Sequence, residues 1–194
     1  MKRDIEKSIR EHWFKDHQAQ LTKHGDLQVL NWREPGTFMY AVRYVFDGSR
    51  IYISGDLGEA VFCLTWVAHI HSFDDIHIGY FAEKLEAYAE ERWDFSNENA
   101  VKRLREWLND LKEYGREYDH DDMKELFEAA RNSSSESEWA YHINNLSGFV
   151  SELDCDYWEW MYKAGREYPG RLRSYLIGLQ MASEQLKKFE VQPK

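Results

Sequence analysis

The feature that most constrains this chain is a run of alternating residues between Met39 and Ala68, interrupted at short intervals by turn sequences. From Met39 to Phe46, the side chains of Tyr40, Val42, Tyr44 and Phe46 share one face of an extended chain, because successive strand side chains point to opposite sides. Asp47-Gly48-Ser49 supplies a hairpin turn. Arg50 to Ser54 returns with Ile51 and Ile53 on one face and Tyr52 on the other. Gly55-Asp56-Leu57-Gly58 is a second turn, and Glu59 to Ala68 is a third run rich in β-branched and aromatic residues. Three runs joined by short turns predict an antiparallel meander. A short strand from Leu27 to Trp32 precedes it, set off by the turn Arg33-Glu34-Pro35-Gly36.

Around this sheet the pattern changes to helical spacing. Ile5, Ile9, Trp13 and Phe14 predict an amphipathic helix over residues 3–21, broken at His24-Gly25-Asp26. Ser72 with Asp74 and Asp75 opens a second helix whose stripe is Ile76, Tyr80, Phe81, Leu85 and Tyr88, running to Glu91. Ser96 or Asn97 caps a third, with Val101, Leu104, Trp107, Leu108 and Leu111 on its apolar face and an end near Gly115. Asp119 to Asp122 precedes a fourth, carrying Met123, Leu126, Phe127 and Ala130. The polar loop 132–137 leads into a helix over Trp139 to Val150. Pro169 starts a final helix with Leu172, Leu176, Leu179 and Leu186. The expected fold is α+β: a small antiparallel sheet of three to four strands within about residues 27–68, an N-terminal helix and a predominantly helical C-terminal half. The length of 194 residues fits one domain, subdivided into an α/β part (1–95) and a helical part (96–190).

Composition bounds the function. Hydrophobic residues make up 43% and aromatics 15%, enough for a core without disulfides or metal. There are two cysteines, Cys63 and Cys155, read as reduced thiols. The first thirty residues have no apolar stretch like that of a signal peptide, and no segment is long and apolar enough to span a bilayer. The expected setting is therefore cytoplasmic. The net charge of −10 repels phosphate backbones, so direct nucleic-acid binding is not expected, and a basic partner is favoured.

Candidate chemistry is sparse, and no cofactor is expected. His69 and His71 lie two apart on an extended segment, with Asp74 and His77 close enough to complete a tetrahedral metal site. The same residues also read as a strand end followed by helix-capping aspartates. Asp119-His120-Asp121-Asp122 lacks the spacing of a calcium loop and fits an acidic helix start. In the turn Gly55 to Glu59, Asp56 and Glu59 form a carboxylate pair on a segment whose glycines also fit plain turn chemistry. Arg166, Arg171 and Arg173 lie near Tyr168 and Tyr175 as a phosphate-binding or solvated group. Trp158 and Trp160 would stand about 200° apart on a helix, so one must face away from the local core as a contact anchor.

The stretches Pro35-Gly36-Thr37, Tyr40 to Gly48 and Ile53 to Val61 resemble small accessory proteins of unknown function encoded by phages and prophages, over roughly residues 30–95. The resemblance implies a phage setting, in which small acidic proteins inhibit host defences such as CRISPR effectors or restriction systems. The expected function is then a phage-derived acidic binding protein that inhibits a host defence complex by protein–protein contact, blocking nucleic-acid binding or assembly. Its expected partner is a host defence protein or nucleoprotein. The residues expected to bind it are Asp56, Glu59, the carboxylates Glu83, Glu86, Glu90 and Glu91 along one helix, and Trp158 and Trp160. Two alternatives stand beside it. One is a small metal-dependent hydrolase using His69, His71, Asp74 and His77; the other is a phage accessory protein that self-associates, for example as a homodimer.

Overall fold

Gly25 and Asp26 turn the chain at the expected break, but the segment before them is a strand and not the end of a helix over residues 3–21. The computed structural model describes residues 5–190. It divides into two compact units: the first runs up to Arg92 and resumes at Pro169, and the second is Trp93–Tyr168.

The first unit is built on a six-stranded antiparallel sheet in simple sequence order. Its strands are β1 (Gln18–His24), β2 (Leu27–Arg33), β3 (Val42–Asp47), β4 (Arg50–Gly55), β5 (Ala60–Cys63) and β6 (Leu85–Tyr88). The expected three to four strands are therefore corrected to six, and a two-stranded pair in the second unit adds to them. The N-terminal helix is corrected as well. Among the described residues of the expected span 3–21, helical structure is limited to α1 (Ile5–Ser8) and a wider π turn over Ile9–Trp13; residues 3 and 4 lie outside the described residues. Gln18 to His24 instead pairs with β2, with His24 opposite Leu27 across a two-residue loop in which Gly25 has φ +61°. The helix expected to run to Glu91 shortens to α2 (Ile78–Glu83), because Leu85 to Tyr88 pairs with β5. Both added strands are edge strands in which Gln, Ala, Leu, Lys and Glu, which favour helix locally, outnumber Thr22, His24 and Tyr88. Cross-strand pairing overrides that preference.

The central hairpin forms as its sequence predicts. Asp47 pairs with Arg50, and Val42, Tyr44 and Phe46 sit opposite Gly55, Ile53 and Ile51. Val42, Tyr44, Phe46, Ile51 and Ile53, with Leu30, Trp32, Ala60 and Phe62, form the buried face. Each large apolar side chain buried there contributes roughly 1.5–3 kcal/mol. The long helix α7 (Gly170–Glu190) packs against this unit. Two buried tyrosines tie it to the sheet. Tyr44 Oη donates to the Tyr175 carbonyl at 3.0 Å, and Tyr175 Oη donates to the Leu57 carbonyl at 2.7 Å. Burial raises the pKa of both phenols, so they stay protonated donors.

The second unit is helical, with α3 (Asn97–Glu113), α4 (His120–Asn132), α5 (Glu136–Asn145) and α6 (Ser147–Leu153), plus the short pair β7 (Asp94–Phe95) and β8 (Arg166–Glu167). The starts of α3 and α4 follow the sequence, whereas α5 begins at Glu136, inside the expected loop, with Ser135 as its cap. Ser96 Oγ accepts from Asn99 N at 3.3 Å, and Ser135 Oγ accepts from Glu138 N at 3.2 Å. Asp119 accepts from the amides of Asp121 and Asp122 at 2.8 and 3.1 Å. Those amides hold the Asp119 carboxyl below its usual pKa. The helix expected over Trp139–Val150 is two helices, broken at Leu146. The core centres on Leu104, Leu126, Trp139, Ile143 and Val150, all fully buried. Among the described residues no helix is long and apolar enough to cross a membrane.

Candidate functional site

The residues expected to carry function separate into structural and exposed groups. Asp56 belongs to the first. Its carboxylate accepts from Tyr40 N at 2.7 Å, and its own amide donates to the Ala41 carbonyl at 2.9 Å. Glu59 is exposed just beyond that turn. Glu83 ends α2, Glu86 lies on β6 and Glu90 and Glu91 follow it, so the four carboxylates do not share a helix. Glu86 pairs with Arg50 at 3.3 Å, and Glu90 pairs with Arg171.

Trp158 lies on a short 3₁₀ turn and Trp160 caps it, so the helical spacing of about 200° does not describe them. Trp158 is 58% exposed. Trp160 donates to Asp154 Oδ2 at 2.9 Å and stands 5.9 Å from Trp107, with the Arg103 guanidinium 5.4 Å from its ring centre.

Three of the four residues of the metal reading are engaged elsewhere. His69 is exposed at the start of a 3₁₀ turn over Ile70–Phe73. His71 Nδ1 is 2.7 Å from Ser183 Oγ, and His77 Nδ1 accepts from Tyr80 N at 3.2 Å as the cap of α2. Asp74 pairs with Lys187. Burial alone would raise the Asp74 pKa, but hydrogen bonds from Lys187 and Ser183 outweigh it and hold the group below the usual carboxylate value. Among the described residues, no group of three or more His, Cys, Asp or Glu is arranged to hold a metal ion.

The charge of the chain is unevenly shared. The first unit has 16 Lys and Arg against 17 Asp and Glu, whereas the second has 9 against 18. Nearly the whole acidic excess therefore lies between Trp93 and Tyr168. It is densest over residues 106–128, where nine acidic residues face three basic ones. Glu106, Asp110 and Glu113 recur at four and three residues along α3, and Asp121, Glu125 and Glu128 repeat that spacing along α4. All six are exposed. Successive members of each stripe stand about 5–6 Å apart at Cβ. Only Glu106 and Glu128 of the six have an ion-pair partner among the described residues, Arg103 and Lys124. Of the six, the sequence marks only Asp121, within an acidic helix start; the count by structural unit is the signal that singles out the rest.

The chain matches no family model, and no curated protein or solved structure is detectably similar to it.

A second exposed feature lies in the first unit, in the loop between β2 and β3. Phe38 and Met39 are 75% and 63% exposed. The next residue, Tyr40, has φ +55° and is the one non-glycine with positive φ among the described residues. That conformation is held from three sides. Tyr40 N donates to Asp56, its ring stacks on Trp13 at 5.0 Å, and its carbonyl lies 3.2 Å from His17 Nε2. His17 is buried, and its Nδ1 has no hydrogen-bond partner among the described residues. Burial lowers its pKa below 6.5, outweighing the Tyr40 carbonyl and the nearby Glu34 and Asp16, which raise it.

The sign of the linkage follows. Below pH 6.5 the unfolded chain binds a proton that folded His17 resists, so stability is complete above that pH and falls as the pH is lowered. The melting temperature is expected to drop between about pH 7 and about pH 5, where His titrates. His17→Gln keeps a donor towards Tyr40 and removes the titration, so its profile should be flatter. Parallel profiles for the two proteins would show that His17 is not the group responsible.

Proposed function

We propose that this chain is a non-catalytic binding protein that inhibits a bacterial defence complex, with its acidic helical unit occupying a basic, nucleic-acid-binding surface of the target. The observation that carries this reading is the segregation of charge into residues 93–168, with two carboxylate stripes on α3 and α4. A surface built to meet a polyanion is also complementary to regularly spaced carboxylates, and such fields speed association and exclude wrong partners. The resemblance of residues 30–95 to phage-encoded accessory proteins supplies the setting. The exposed Trp158 belongs to the same unit and adds an aromatic anchor of the kind that concentrates binding energy.

The test is a plating assay on bacteria carrying an active CRISPR or restriction system. Expression of the chain is expected to raise phage plating efficiency. Asp110→Lys, Glu113→Lys and Glu125→Lys together should abolish the effect without unfolding the protein. All three positions are exposed, and a lysine at 113 lies in the last turn of α3, where a cation suits the helix dipole. No change in plating with any defence system, or a triple variant as active as the wild type, would remove the proposal.

A further inference from the structure

We propose that the outer face of the sheet beside the Phe38–Met39 loop is a separate interface, which takes a protein segment bearing a carboxylate next to an apolar side chain. This goes beyond the inhibitor reading. It concerns the first unit, and it calls for a partner of opposite charge to the one the acidic helices fit.

Arg33 and Arg43 are neighbours on that outer face. Register places Asn31, Arg43 and Ser54 in one row across β2, β3 and β4, on the face away from the core. Arg33 lies two residues along β2 from Asn31, so it is the diagonal neighbour of Arg43 on that face. Diagonal neighbours stand about 7–8 Å apart, near enough for long side chains to meet. Both arginines are exposed. Neither has an ion-pair partner among the described residues, whereas Arg10, Arg50, Arg166, Arg171 and Arg173 all do. Two like charges side by side repel, and an anion between them relieves that repulsion. Guanidinium groups bind carboxylates through paired hydrogen bonds, and Asn31 and Ser54 offer further donors in the same row.

The two arginines line a cleft of about 300 Å³ together with Asn31, Phe38, Ser54 and Gly55. Phe38 lines it and Met39 is the next residue, an adjacent pair of large apolar side chains left in solvent. Their loop is ordered by its own bonds: Met39 N donates to Thr37 Oγ1 at 3.0 Å, and Ala41 N donates to the Phe38 carbonyl at 3.0 Å. Tyr40 is held at positive φ, which strains a residue with a Cβ, and such strain clusters at ligand clamps and switch regions. Beyond the cleft, the row Val29, Val45, Tyr52, Val61 and Ala87 carries apolar character across five strands of the same face.

These features favour a protein segment over a nucleic acid. Only two unpaired cations lie at the cleft, and a polyanion needs several to bind well. The Phe38 ring, the aromatic nearest them, has the Arg33 guanidinium 6.0 Å from its centre and is not a free stacking platform.

The test is to select a yeast-displayed random peptide library on the full chain. Enriched peptides are expected to pair Asp or Glu with a neighbouring Leu, Ile, Met or Phe. Their affinity should fall at least about tenfold, a loss of 1.4 kcal/mol, in Arg33→Gln/Arg43→Gln and separately in Phe38→Ser/Met39→Ser. It should also weaken as salt is raised. Melting curves of both variants are expected to match the wild type, since all four side chains are exposed. The proposal is overturned by no enrichment, by enriched peptides without acidic bias, by full retention in either variant, or by a labelled single-stranded oligonucleotide that binds through Arg33 and Arg43. None of these outcomes depends on whether the chain inhibits a defence system.

Discussion

Gly55→Ala is expected to destabilise the first unit by about 4 kcal/mol, combining backbone strain of roughly 1–3 kcal/mol with a steric clash of similar size. Gly55 ends β4 with φ +143°, a conformation that residues with a Cβ rarely adopt. A Cβ there would overlap the Ala41 carbonyl oxygen and lie 3.0 Å from its carbon. Backbone cannot step aside as a surface side chain can. The end of β4 would have to part from residues 40–42, breaking the bond from the Asp56 amide to Ala41 and loosening the Asp56 carboxylate on Tyr40. Gly58→Ala is the matched comparison. It too has positive φ, at +96°, but the nearest atom to its Cβ is the Tyr175 hydroxyl at 3.4 Å. Strain without collision should cost about 1–3 kcal/mol. Urea denaturation of the two variants measures the difference, and equal midpoints would show that the Ala41 contact carries no energy. Because the same turn clamps Tyr40, Gly55→Ala should also weaken peptide binding at the Phe38–Met39 loop.

That turn shows how far the sequence could be read. Its glycines and the hairpin at Asp47-Gly48-Ser49 were legible because turn residues act locally, through φ alone. The buried alternation of Val42, Tyr44 and Phe46 was legible for the same kind of reason, since a period of two needs no partner to be seen. The two edge strands were not. Leu21 is the one large aliphatic in Gln18–His24, and Leu85-Glu86-Ala87-Tyr88 continues a helical stripe without a break. Their identity as strands comes from pairing with β2 and β5, which no local window contains. Tyr40 was assigned to the face of β3, but it lies outside the strand at positive φ, held there by Asp56, Trp13 and His17. Those contacts join residues far apart in sequence, and the unpaired state of Arg33 and Arg43 is likewise a property of the folded sheet. The helices of the second unit were legible from their caps and stripes, yet the excess of acid in that unit emerges only once its limits are known. Glu83 to Glu91 looked like the acidic surface because they were read as one helix.

Trp139→Ala is expected to cost about 5 kcal/mol, the largest single loss in the second unit, since a large aromatic deleted from a core typically costs 3–5 kcal/mol. Trp139 is fully buried among the helices, and its indole Nε1 donates to the Met161 carbonyl at 2.8 Å. That bond ties α5 to the 3₁₀ turn over Met161–Lys163. Trp139→Phe separates the two contributions. It keeps most of the apolar contact and removes only the indole bond, because Ala164 N still donates to the Met161 carbonyl at 3.1 Å, a loss of about 0.5–1.5 kcal/mol. The unit depends on this core because its surface works against it. The carboxylates on α3 and α4 recur at spacings where like charges repel, each pair costing about 0.2–0.5 kcal/mol. Salt screens that repulsion and leaves the core contacts in place. Added salt should therefore recover part of the stability lost in Trp139→Ala and much less of that lost in Gly55→Ala, which lies in the nearly neutral unit. Amide hydrogen exchange at several salt concentrations reads α3 to α5 separately from β2 to β4. Equal salt responses in the two units would mean that the acidic stripes are too well solvated to repel one another, and the electrostatic part of the inhibitor reading would lose its support.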